Sequence, residues 1–186
     1  MKPNEYVSRK KYGNIGAAKV NAAGLSARAF CRLQRREEMP LSGYAALVGI
    51  YNAAFAAMLL AAKNSGLQLP QRIGYADLML LGVGTFKLSR IISVDRVTSP
   101  LRAPFTEYVE PAGTSEVKEK VRGTGMQRAV GDLLTCPYCM GPWVAAALIA
   151  GFIFKPRVTR LAVGVLTAAT MSDFLHHAYG AVKKID

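Results

Sequence analysis

Histidine and cysteine are scarce in this chain, and acidic residues are outnumbered. Two His, three Cys and 12 Asp or Glu stand against 24 Lys or Arg in 186 residues. Three cysteines are an odd count and too few for a disulfide framework. No zinc-finger, helix-turn-helix or RNP motif accompanies the net charge of +12, and the basic residues do not interleave with aromatics, so nucleic acid is not the expected partner. The chain has no internal repeat and no low-complexity tract. The first forty residues are too polar for an apolar signal-peptide core, so an uncleaved anchor starting near Leu41 is expected instead.

Apolar residues are abundant, at 51% of the chain. They come in blocks, not at a period of 2 or 3.6, which is the membrane pattern. The expectation is an all-α integral membrane bundle of about four transmembrane helices. The spans are read at 42–62, 73–94, 139–154 and 161–182, with a small polar insert at 95–135. Ser42 to Ala62 is uncharged over 21 residues, against the roughly 20 that a bilayer requires. The second span is compromised: Asp77 opens it, and Lys87 and Arg90 sit near its end, where basic side chains can snorkel. Gly82-Val83-Gly84 reads as a close helix-packing point. The third span begins inside Leu133 to Phe154, which is uncharged for 22 residues. Pro142 suits its first turn, and Tyr138 and Trp143 suit an aromatic belt.

Before the first span, residues 1–40 form a basic cytoplasmic segment with nine Lys or Arg in Met1 to Glu38. Ala17 to Glu38 reads either as an amphipathic helix on anionic headgroups or as a disordered tail. Cys31 lies there. In the insert, Pro100 and Pro104 are expected to hold Ser99 to Phe105 extended. Phe105–Val109 and Glu116–Arg122 flank a turn-rich stretch that suits a hairpin, and a short helix follows over Gly123 to Leu134. The cation distribution puts both termini and the insert in the cytoplasm of a cell-membrane protein. Its partners are then the bilayer, anionic lipid headgroups and a protein partner or second copy of the chain.

Leu88 to Phe105 and Gly131 to Cys139 together resemble a family of small, mostly bacterial membrane proteins known as domain of unknown function 1360. One member is described as sporulation-associated. The resemblance covers Ile73 to about Tyr179. It implies a membrane protein and carries no activity, cofactor or catalytic residue.

Three constellations carry chemistry. Cys136-Pro137-Tyr138-Cys139 is the first. The same four residues form the redox motif of glutaredoxins, but that fold needs strands on both sides of the motif. Only 47 residues follow Cys139 here, and they read as two apolar helices. A membrane-bound dithiol oxidoreductase on another scaffold stays open. The second is a zinc site. If spans three and four form a hairpin turning near Arg157, then Cys136 and Cys139 meet His176 and His177, with Asp173 orienting an imidazole. Against both stands plain packing of small side chains. The third is Asp95, Arg96 and Arg102 at the inner surface. There Arg102 either meets a lipid phosphate or a partner's carboxylate, or pairs internally with Asp95. Asp77, Lys87, Arg90 and Asp173 also raise transport, although four spans without a repeat make a poor carrier. The reading that follows is an accessory or interaction protein, not an enzyme.

Overall fold

A computed structural model of the chain describes residues 40–67 and 72–183. The basic segment, its expected helix and Cys31 lie outside them. Leu41–Asn64 forms α1, ended by Ser65 and by Gly66 at φ 67. Tyr75–Ser93 forms α2. A 3-10 turn, Arg96–Thr98, leads into the single turn of α3, Ser99–Arg102. Strands β1, Thr106–Pro111, and β2, Val117–Val121, make an antiparallel hairpin. Three helices follow: α4 at Gly125–Leu134, α5 at Pro137–Phe154 and α6 at Pro156–Val182. The described residues are mostly helical, with one two-stranded sheet.

One sequence expectation fails in the insert. Ser99 to Arg102 is helical, not extended, because Pro100 falls in the first turn, where its missing N–H costs nothing. The hairpin and the short helix after it form close to where the sequence puts them. Glu107 lies opposite Lys120, and Glu110 pairs with Lys118 at 3.0 Å. The register slips between Tyr108 and Glu110.

The long helices alternate in direction. Asp77 of α2 meets Arg160 of α6 at 2.7 Å, and Lys87 meets Asp173 at 2.6 Å. The two contacts follow the same order on both helices, so α2 and α6 run parallel. Tyr44 reaches Asp132 just ahead of α5, and Tyr51 packs on Trp143 within it, so α1 and α5 also run parallel. The start of α1, the end of α2, the polar insert and the start of α5 therefore share one end of the bundle. Helix α2 packs against both α5 and α6. Where α2 crosses α6, Gly84 admits Val163: a Cβ at Gly84 would lie 3.1 Å from Val163 Cγ1.

The outside of this bundle is apolar. Leu60, Met79, Leu161, Phe174 and Leu175 are all exposed. Helices α1, α5 and α6 are long and apolar enough to cross a membrane by length and composition. Helix α2 is not among them, since Asp77, Lys87 and Arg90 fall within its 19 residues. Polar side chains in the long helices bond back to their own backbone: Thr85 to the Leu81 carbonyl, Thr167 to Val163 and Thr170 to Leu166, at 2.7–2.9 Å. That arrangement suits surroundings without water.

Helix α4 closes on the hairpin through Gly131. A Cβ there would lie 2.4 Å from Val121 Cγ1 and 3.0 Å from the Phe105 carbonyl oxygen. Gly131→Ala is therefore expected to cost about 1–3 kcal/mol, the usual range for overpacking. A lowered thermal midpoint in detergent checks this, and an unchanged midpoint contradicts the packing described.

Candidate functional site

Cys136 caps α5. Its backbone is extended (φ −113, ψ 104), Pro137 takes the first helical position, and Cys136 Sγ accepts from the Cys139 N–H at 3.2 Å. Three residues make nearly one helical turn, so the spacing brings Cys139 round beside Cys136. Both cysteines are free; Cys136 is half-buried and Cys139 exposed. Beside them, a cavity of about 340 Å³ opens between α1, α4 and α5. Cys139, Pro142 and Trp143 form one wall, Tyr44 to Tyr51 of α1 the opposite one, and Ala129, Asp132 and Leu133 its end. The Tyr44 hydroxyl donates to Asp132 Oδ2 at 2.7 Å. Tyr51 and Trp143 meet edge to face, with ring centres 5.2 Å apart, a favourable aromatic geometry.

The other concentrated site is the buried ion pair of the insert. Arg102 is 1% exposed, and all five of its N–H groups find acceptors. Nε and Nη2 grip Glu119 at 2.8 and 3.0 Å. Nη1 reaches the Ile92 carbonyl at 2.6 Å and Thr98 Oγ1 at 2.7 Å, and Nη2 also reaches the Asp95 carbonyl at 3.0 Å. Glu119 further accepts from Ser99 at 2.5 Å and lies 2.8 Å from the Thr106 hydroxyl. Burial by itself raises the Glu119 pKa, but the hydrogen bonds from Arg102, Ser99 and Thr106 together outweigh it and hold the carboxyl below its ordinary value.

Several residues singled out in the sequence lie elsewhere. His176 and His177 are exposed on α6. Asp173 pairs with Lys87 rather than orienting an imidazole. Among the described residues, no three His, Cys, Asp or Glu side chains are grouped to hold a metal ion. The α5–α6 register and the exposure of both histidines account for this. The turn is at Lys155, and a Cβ at Gly151 would meet Thr159 Oγ1 at 2.8 Å. A turn near Arg157 would instead have set Gly151 level with Gly164. The partner of each α5 residue is thus five positions earlier, roughly 7.5 Å along the helix, so Cys139 falls level with Met171 and not with His176, while Cys136 falls level with Phe174, two positions short of His176. Arg102 turns inward to Glu119, so it is not offered to a lipid or partner, and it touches Asp95 only through the backbone. Asp95 is half-buried and Arg96 exposed.

Tyr44, Asp132 and Glu119 were not singled out in the sequence. For Glu119 the signal was available. In Val117-Lys118-Glu119-Lys120-Val121 the period of two puts Glu119 on the face of the two valines, and an acid on an apolar face needs a partner.

Residues 80–179 match the family described as Protein of unknown function (DUF1360). The chain belongs to this family. Two relatives from Bacillus subtilis (strain 168) are similar to it. The one named Sporulation protein YjcA is 30% identical over 101 residues, covering 53% of this chain and 86% of the relative. The one named UPF0713 protein YngL is 27% identical over 119 residues, covering 62% and 88%. No solved structure matches. The DUF1360 match takes in the Arg102–Glu119 pair and both cysteines of the dithiol, while α1 lies before it.

Removing one partner of a buried pair strands the other charge. Arg102→Met is therefore expected to destabilise the protein by about 3–5 kcal/mol, read as a drop in the thermal midpoint. The pH dependence follows from the lowered Glu119 pKa. Its stabilising contribution is fully present above the ordinary value of about 4.5 and is lost as pH falls through the lower folded-state value. Midpoints measured from neutral to acid pH should show this loss in the native protein and a smaller one in Glu119→Gln. Equal acid sensitivity in the two would contradict it.

Proposed function

We propose that this DUF1360 protein is a four-span integral membrane protein that works as an accessory, partner-binding component of the cell membrane, with α2 as its fourth span. The observation that carries the reading is that each charge on α2 has a counter-charge: Asp77 with Arg160, Lys87 with Asp173, and Arg90 with Glu116. A span with paired charges avoids most of the cost of isolated ones in hydrocarbon. The outward side of α2, with Leu78, Met79 and Phe86 exposed, is as apolar as that of its neighbours. At 19 residues it is about 28 Å long, close to a bilayer core of roughly 30 Å. Tyr75 begins α2 and Tyr138 is the second residue of α5, at opposite ends of the bundle and both largely exposed, as an aromatic belt at each interface requires. The insert adds Arg96, Lys118, Lys120, Arg122 and Arg128 to the end where α1 begins, which favours that end as the cytoplasmic one.

A second reading, dithiol–disulfide exchange at Cys136 and Cys139, is favoured by the amide hydrogen bond to Cys136 Sγ and by the placement of Cys139 in a cavity wall. The zinc alternative has no such support, since its four ligands are not assembled.

Exchange of the Lys87–Asp173 pair tests the spanning role. Lys87→Asp and Asp173→Lys alone should each lower the level of carbonate-resistant protein in membranes, and the double exchange should restore much of it. Undiminished levels in both single variants would sink the claim that α2 needs its charges paired.

A further inference from the structure

We propose that the cavity between α1, α4 and α5 is a binding site for the ring of a lipid-soluble quinone, which oxidises the Cys136–Cys139 dithiol. This rests on the dithiol reading and names its electron acceptor.

The cavity combines three properties that such a ligand requires. Its lining carries three aromatic rings, Tyr44, Tyr51 and Trp143, among aliphatic side chains, against which a planar ring can pack. It has a polar end, where the Tyr44 hydroxyl donates to Asp132 at 2.7 Å; the Asp132 carboxylate can accept from a hydroxyl of the reduced form, and the Tyr44 hydroxyl can donate to a quinone carbonyl once it turns from Asp132. It also opens toward lipid. Val48, in the same wall, is 62% exposed on the apolar outer surface of α1, so a ligand dissolved in the bilayer can enter sideways. The volume of about 340 Å³ lies at the lower end of the roughly 300–1,000 Å³ typical of small-molecule sites, enough for one ring but not for a bulky soluble substrate.

The cysteines are ordered for a two-electron transfer. Cys139 is in the wall and Cys136 behind it. The Cys139 sulfur adds to a ring carbon, and its proton passes to one quinone oxygen. The Cys136 sulfur then attacks the Cys139 sulfur. The disulfide bond forms as the carbon–sulfur bond breaks, and the Cys136 proton ends on the second oxygen. The dithiol loses two electrons and two protons, and the quinone leaves as hydroquinone.

The test uses the full chain, reduced and reconstituted in lipid nanodiscs without oxygen. Decylubiquinone is the probe, because its fully substituted ring does not trap thiols permanently. Hydroquinone absorbance and free thiols are followed together. One hydroquinone should appear for each pair of thiols lost, with Cys31 left free. Cys139→Ser should abolish the reaction. So should Val48→Trp, which plugs the opening, while its thiol count and thermal midpoint match the native protein. If a small soluble disulfide oxidises the native pair and the quinone does not, the quinone site is wrong and the dithiol reading stands. Full reaction in Val48→Trp, or a cavity that yields only phospholipid on extraction and never reduces quinone, also overturns the site. If neither oxidant closes the disulfide, the dithiol reading fails with it.

Discussion

The ion pairs of α2 set the arrangement of the helical bundle. A helix with an apolar outer side and three charges can sit among apolar helices only if each charge meets its opposite. Asp77–Arg160 and Lys87–Asp173 fix α6 alongside α2 in the same direction, and Arg90–Glu116 ties the end of α2 to the hairpin. With α6 held to α2 in this way, the reversal at Lys155 returns α6 along α5 in the register that sets Gly151 against Thr159.

The insert repeats this logic on a smaller scale. A guanidinium with five satisfied donors joins the end of α2 through the Ile92 carbonyl, the 3-10 turn through Thr98 and Asp95, and β2 through Glu119. Three segments between Ile92 and Glu119 depend on one side chain. Gly131 then brings α4 hard against β2, and α4 leads directly into the Cys136 cap. The dithiol and its cavity are thus held from below by the insert and from the side by α1.

Much of the architecture could be read before the structure. The uncharged blocks at α1 and α5 and the turn composition between the strands mark local events, and local chemistry decides them. The pairings could not be read in this way. Asp77 finds Arg160 across 83 residues, and Tyr44 finds Asp132 across 88. Such contacts depend on helix order and register, to which hydropathy is blind. The α5–α6 register turned on one detail, that the reversal takes only Lys155. Arg102 was legible as special because two prolines flank it. Its inward direction was not, since that required knowing that Pro100 starts a helical turn and that Glu119 shares the apolar parity of β2.

Spanning by α2 is the point on which the account turns, and two-sided labelling tests it most directly. In a chain with Cys31, Cys136 and Cys139 changed to serine, single cysteines at Tyr75 and Arg96 mark the two ends of α2. A membrane-impermeant maleimide applied to intact cells should label position 75 and spare position 96, with the pattern reversed in inside-out vesicles. Labelling of both positions from the same side would contradict the account.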